Sequence, residues 1–105
     1  MSGISIHILD TSVGLPASGI QVRLFREGEE LASALTNADG RIPVLLPGGT
    51  RLQRGTYQVI FEVGACWPES FYPEVRITFF VKDPGSHHHI PLLISPFGFT
   101  TYRGS

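Results

Sequence analysis

The chain has 105 residues, of which 42% are hydrophobic and 16% are charged, and its formal net charge is −1. This length fits a single domain over residues 1–105 with one modest core, and the charge excludes the basic field that attracts nucleic acid or an anionic membrane. No apolar run reaches the roughly 20 residues that a membrane-spanning helix needs, so we expect a cytoplasmic protein.

The first half of the sequence consists of short segments in which two-residue alternation recurs, the pattern of half-buried β-strands. In the first segment, isoleucines alternate with a second face formed by Ser5, His7 and Leu9. A turn is predicted at Asn37-Ala38-Asp39-Gly40, where the Asp39-Gly40 step suits positive φ. A break in the strand that follows is predicted at Pro47-Gly48-Gly49. The predicted strands of this half cover residues 4–9, 20–26, 30–36 and 41–45.

The second half of the sequence continues the same pattern. Pro68 limits residues 65–71 to at most one short helical turn. The predicted strands of this half cover residues 55–63, 75–81, 89–95 and 98–102. About eight short strands separated by turns favour an all-β sandwich or barrel.

The segment from His89 to Tyr102 has no acidic or basic residue other than its first histidine. Leu92, Leu93 and Ile94 are consecutive, so both faces of this predicted strand need cover, whereas one sheet of a sandwich covers only one face. We expect a second subunit to cover the other face. Cover by loops of the same chain is the alternative.

Four histidines are the candidates for proton transfer, because imidazole titrates near neutral pH. His7 lies on the strand face opposite the isoleucines, and His87-His88-His89 leads into an apolar strand. Two imidazoles that converge could activate a water molecule. His87 and His89 could alternatively share a zinc ion, but no acidic residue adjoins them to orient the rings, so we expect no metal.

Arg41 directly follows the predicted turn. Its planar guanidinium suits a substrate that carries adjacent carbonyl and ring nitrogen groups, although a surface cation is the ordinary role for such a residue. A serine nucleophile has no support, since the Gly-x-Ser-x-Gly pattern is absent from the sequence.

Five blocks follow one another along the chain. They are His7-Ile8-Leu9-Asp10-Thr11-Ser12, Thr36-Asn37-Ala38-Asp39-Gly40-Arg41, Phe71-Tyr72-Pro73-Glu74-Val75, His89-Ile90-Pro91-Leu92-Leu93-Ile94-Ser95-Pro96 and Thr101-Tyr102-Arg103-Gly104-Ser105. Together these blocks resemble the 5-hydroxyisourate hydrolases of the transthyretin-like family. The resemblance covers essentially the whole chain.

The resemblance implies a sandwich of two four-stranded sheets and a homotetramer built as a dimer of dimers. It also implies hydrolysis of 5-hydroxyisourate to 2-oxo-4-hydroxy-4-carboxy-5-ureidoimidazoline in urate catabolism, without a cofactor. By the same resemblance, the catalytic residues are His7, Arg41 and His89. The substrate-binding residues are those of the tail: Tyr102, Arg103, Gly104 and Ser105.

Two features depart from the family pattern. His88 stands where the family usually has tyrosine, and the segment from Glu62 to Phe71 is short for the small helix that the family holds there. A transthyretin-like protein that binds a hydrophobic ligand without catalysis is the main alternative function. A structural sandwich module is the second alternative, because a fold does not determine a function.

Overall fold

The computed structural model describes residues 3–48 and 50–105. Three residues lie outside the described ranges: Met1 and Ser2 at the start of the predicted domain, and Gly49 in the predicted strand break. Within the described residues there are nine strands: β1 Gly3–Asp10, β2 Leu15–Pro16, β3 Gln21–Arg26, β4 Glu29–Leu35, β5 Arg41–Ile42, β6 Gly55–Phe61, β7 Val75–Val81, β8 His87–Ser95 and β9 Gly98–Thr101.

Two sheets form a sandwich, one of the two architectures that the alternation favours and the one that the family resemblance implies. The first sheet has the order β2-β1-β8-β9, and β5 also pairs with β1; the second has the order β4-β3-β6-β7. Strands β1 and β8 are parallel, whereas the other pairs are antiparallel.

The first sheet therefore has five strands among the described residues, where four were expected. The extra strand arises because β2 and β5, of two residues each, share the edge of β1 that β8 leaves open. Strand β5 is shorter than the predicted strand 41–45, although the chain stays beside β1, where Leu45 N–H donates to Ile4 O at 2.9 Å.

The core lies between the sheets and follows the predicted alternation. Ile4, Ile6 and Ile8 of β1 are buried, and so are Ile90, Leu92 and Ile94 of β8. Since successive side chains of a strand point to opposite faces, the intervening residues of β1 and β8 lie on the outer face of the first sheet. This outer face carries three of the four histidines.

One 3₁₀ turn, Val63–Ala65, is the only helical element of the part of the chain that the structure describes. It overlaps the predicted range 65–71 at Ala65 and begins two residues before that range. Gly64 donates a hydrogen bond to Pro73 O at 2.7 Å, and a Cβ at Gly64 would lie 2.8 Å from Pro73 Cβ, so the returning loop packs closely on the turn. No helix formed by residues 3–48 and 50–105 has the length and apolarity to cross a membrane.

Candidate active site

The outer face of the first sheet brings together side chains from the two ends of the chain. In the parallel pairing of β1 with β8, Ser5 is the partner of His89, and Gly3 is the partner of His87. Ser5, His7, His87 and His89 therefore share one face. Of these residues, Ser5, His7 and His89 are half-buried and His87 is exposed.

Arg41 reaches this face from the other edge of β1. It is the antiparallel partner of His7, and directly opposed residues project from the same face of a sheet. The structure thus places the guanidinium group beside the first of the predicted catalytic histidines. The predicted residues His7, Arg41 and His89 lie on three adjacent strands of one sheet face.

The turn before Arg41 holds β5 against β1. Asn37 Oδ1 accepts hydrogen bonds from the backbone N–H of Asp39 at 2.9 Å and of Arg41 at 3.0 Å. Gly40 has φ of +69°, and a Cβ there would lie 2.5 Å from Ile8 O. Only glycine fits this approach, so the prediction of a positive φ at the Asp-Gly step is confirmed.

The surroundings of His7 and His89 favour neutral imidazoles. Burial lowers the pKa of His7, and the charge of Arg41 lowers it further. Burial, then Arg41, and then His7 and His87 lower the pKa of His89. A neutral ring retains a lone pair, so both residues can accept a proton near neutral pH.

Ser5 is a residue of this face that the sequence analysis did not single out. Its Oγ lies 2.8 Å from His87 Nε2 and 2.7 Å from His89 Nδ1. The only sequence signal was that Ser5 shares a strand face with His7. That signal identifies a histidine contact only when the neighbour of β1 is known to be β8.

The C-terminal tail contacts the site through its backbone. Gly104 N–H donates to His89 O at 2.8 Å, and a Cβ at Gly104 would lie 2.5 Å from His89 Cδ2. The Arg103 guanidinium donates to Ser86 Oγ at 3.3 Å and to His87 O at 3.2 Å. Of the predicted tail residues, Gly104 therefore lies against a catalytic candidate, whereas Arg103 binds the start of β8.

His88 points toward the core, away from the other histidines. It is 5% exposed, and its Nδ1 has no hydrogen-bond partner within residues 3–48 and 50–105. It lines a cavity of about 240 Å³ together with Phe79, Tyr102 and Arg103. Burial lowers the pKa of His88, and Arg103 acts in the same direction.

Other features of the surface do not add to the histidine site. A cavity of about 320 Å³ is lined by residues that include Cys66, Trp67 and Ile94, but by no histidine. Within the described ranges 3–48 and 50–105, no group of three or more histidine, cysteine, aspartate or glutamate side chains could hold a metal ion.

Comparisons with known proteins agree with this architecture. The model of the HIUase/Transthyretin family matches residues 4–104. The 5-hydroxyisourate hydrolase of Mus musculus is 41% identical over 114 aligned residues, covering 99% of this chain and 96% of the mouse protein.

Solved structures show the same relationship. The structure of Klebsiella pneumoniae 5-hydroxyisourate hydrolase superposes with a TM-score of 0.91 at 44% identity, and the match covers 100% of both chains. Sea bream transthyretin in complex with thyroxine superposes with a TM-score of 0.85 at 27% identity, covering 96% of this chain and 93% of that chain. The resemblance predicted from the five sequence blocks is confirmed, and this chain belongs to the HIUase/Transthyretin family.

Proposed function

We propose that this protein is an enzyme that opens the ring of 5-hydroxyisourate by hydrolysis, giving 2-oxo-4-hydroxy-4-carboxy-5-ureidoimidazoline in urate catabolism. The full-length similarity to 5-hydroxyisourate hydrolases supports the reaction class. The observation that carries the proposal is the pairing of His7 with Arg41, with His89 on the next strand of the same face.

The reaction needs an activated water, a group that stabilises negative charge on the carbonyl oxygen, and a proton for the leaving nitrogen. Neutral His7 and His89 orient and deprotonate the water, a contribution that is typically about 10²–10⁴-fold in rate. Arg41 binds substrate oxygens and stabilises the charge that develops on them. The reaction requires no cofactor and no covalent intermediate.

The tail from Tyr102 to Ser105 positions the substrate ring in this proposal. Support comes from Gly104, whose backbone hydrogen bond to His89 brings the tail to the edge of the histidine face. Positioning of a bound ring beside an activated water removes part of the entropic cost of the reaction.

The decisive experiment is a spectroscopic assay of freshly prepared 5-hydroxyisourate with and without protein, because the substrate also decays unaided. We expect the wild-type chain to accelerate ring opening and Arg41→Ala to lose about 10²–10³-fold in kcat/KM, the range for one oxyanion-stabilising donor. Arg76→Ala, which alters an arginine of the second sheet, is the matched control and should retain full activity. A wild-type rate equal to that of buffer would contradict the proposed function.

His89→Asn tests the general base in the same assay. Asparagine approximates the size of imidazole but cannot accept a proton at neutral pH, so we expect loss of most of kcat with an unchanged circular dichroism spectrum. A normal rate would remove His89 from the catalytic residues.

The assembly we propose is a homotetramer, a dimer of dimers. Strand β9 lies at an edge of the first sheet and contains no charged residue, and uncharged edge strands readily pair with another chain. Phe97 and Tyr102, just before and after it, are 78% and 58% exposed. A second dimer over the outer face would enclose the histidines and complete the cover that the apolar segment of β8 needs.

The alternative function, binding of a hydrophobic ligand without catalysis, predicts a different result in the same assay. Sea bream transthyretin, which has the same fold, was solved in complex with thyroxine. A chain that binds such a ligand and leaves 5-hydroxyisourate to decay at the buffer rate would favour this alternative.

A further inference from the structure

Ser5 connects two histidines through a single hydroxyl group. Ser5 Oγ lies 2.8 Å from His87 Nε2 and 2.7 Å from His89 Nδ1, both within hydrogen-bond distance. The pairing of β1 with β8 determines this arrangement, because Ser5 is the register partner of His89, and His87 precedes His89 by two residues on the same face.

A serine hydroxyl has one hydrogen, so Ser5 can donate to at most one of the two rings, and at least one ring must donate to Ser5 Oγ. When Ser5 donates to His87 Nε2, its oxygen accepts the hydrogen of His89 Nδ1, and the lone pair of His89 lies on Nε2. When Ser5 instead donates to His89 Nδ1, the hydrogen of His89 lies on Nε2, and that atom cannot accept a proton. The tautomers of the two rings are therefore coupled through Ser5.

We propose that Ser5 is a positioning residue that holds His89 with its hydrogen on Nδ1 and relays a proton from His89 to His87, an inference that rests on the proposed hydrolysis. As the water oxygen bonds to the substrate carbonyl carbon, His89 Nε2 takes a proton from the water. The Nδ1 proton of His89 passes to Ser5 Oγ, and the original hydroxyl proton of Ser5 passes to His87 Nε2.

After this transfer, His89 is neutral, Ser5 again has a hydroxyl, and the positive charge that balances the oxyanion lies on His87. The reverse transfer returns the proton through His89 Nε2 to the leaving nitrogen as the carbon–nitrogen bond breaks. The protons and charges balance without a further reactant.

The charges around His89 and the exposure of His87 support His87 as the holder of the positive charge. Arg41 and His7 both disfavour a cation on His89, and His89 is half-buried. His87 is exposed, so water solvates its imidazolium form and lowers the cost of the charge. The relay therefore moves positive charge out of the site, away from the Arg41 side of β1.

The test combines kinetics with ¹⁵N NMR spectra of the histidine rings. We expect Ser5→Ala to lower kcat about tenfold, within the range of proton-transfer contributions, and to change KM less than about twofold. Ser5→Thr, which retains the hydroxyl, should restore kcat. Ser33→Ala, an exposed serine of β4, is the matched control. The spectra should show the Nδ1–H form of His89 in the wild-type chain and its loss in Ser5→Ala.

A double-variant comparison separates a relay from a packing effect. His87→Gln should lower kcat by a factor similar to that of Ser5→Ala, and the double variant should lose no more than either single variant. The relay is overturned if the two losses multiply, if Ser5→Ala retains the wild-type kcat or tautomer, or if Ser5→Thr fails to restore activity in a folded chain. Absence of turnover by the wild-type chain overturns the proposed function itself, and the spectra, recorded without substrate, then still show whether Ser5 holds the His89 tautomer.

Discussion

At the scale of single residues, Arg41 has two effects on the histidine face. In the proposed reaction it binds substrate oxygens, and its charge adds to burial in lowering the pKa of His7 and of His89. A histidine acts as a base only while it is neutral. If His7 and His89 are the bases of the proposed reaction, the lowered pKa values extend its active range to more acidic pH, below the ordinary imidazole value of about 6.5.

The pH dependence of kcat/KM tests this effect of Arg41. In the wild-type chain, activity should be full above the lowered pKa values and should be lost as the pH falls through them. Arg41→Gln removes one cause of the lowering, so the acid limb should move to higher pH, whereas Arg41→Lys should leave it in place. An acid limb at the same pH in Arg41→Gln would contradict the electrostatic coupling.

Gly104 has no side chain, and the His89 ring occupies the space that a Cβ at Gly104 would take. A Cβ there would lie 2.5 Å from His89 Cδ2, whereas a Cβ at Gly98 would meet only Ser95 Oγ at an ordinary 3.8 Å. We expect Gly104→Ala to displace the His89 ring and to lower kcat/KM about 10²-fold, the effect of a misplacement of about 1 Å. Gly98→Ala is the matched control, and equal activities of the two variants would contradict the contact.

His88 couples folding stability to pH. Its pKa is lowered by burial, so the unfolded chain binds more protons than the folded chain below about pH 6.5. The free energy of unfolding should therefore fall as the pH decreases from that value through the lowered pKa. In His88→Phe, which cannot titrate, urea unfolding at pH 7.5 and pH 5 should show a smaller fall. An identical fall in the free energy of unfolding in both chains would exclude His88 as a source of the pH dependence of stability.

At the scale of elements, the turn from Asn37 to Gly40 determines where Arg41 lies. Ile8 N–H donates to Gly40 O at 2.7 Å, and Asn37 Oδ1 holds the turn from inside. The close approach at Gly40 brings β5 to the edge of β1, and that pairing places Arg41 opposite His7. Two residues of strand are enough because the turn itself supplies the remaining contacts.

Gly40→Ala tests this close approach. The substitution combines a positive φ with a Cβ only 2.5 Å from Ile8 O, whereas Gly28 has φ of +81° with nothing within 4 Å. Gly28→Ala should cost about 1–2 kcal/mol, the cost of left-handed backbone alone. Gly40→Ala should lower the free energy of urea unfolding by more than that and should also reduce kcat/KM. Equal losses of stability in the two variants would show that the turn can move away from β1.

At the scale of the whole molecule, the sandwich covers only the inner face of each sheet. The outer face with the histidines and the edge at β9 are the surfaces that the proposed tetramer would use. Sedimentation at micromolar concentration should give four times the chain mass of 11.5 kDa, because an uncharged edge strand flanked by the exposed Phe97 and Tyr102 favours association. A species of 11.5 kDa would contradict the tetramer.

The cytoplasmic location stays a prediction that cell fractionation would test.

The sequence by itself predicted the longer strands, most of their buried faces and the glycine turn, because alternation and positive φ are local properties. It did not predict the two-residue strand β2. It placed His7 away from the core and predicted no long helix across residues 65–71, and the motif blocks identified the family. Only the tertiary structure decided which strands are neighbours. Ser5 and His89 are 84 residues apart in the chain, so no local pattern could join them. Their contact exists because β1 and β8 pair in parallel at one register, and that choice depends on how the whole core packs.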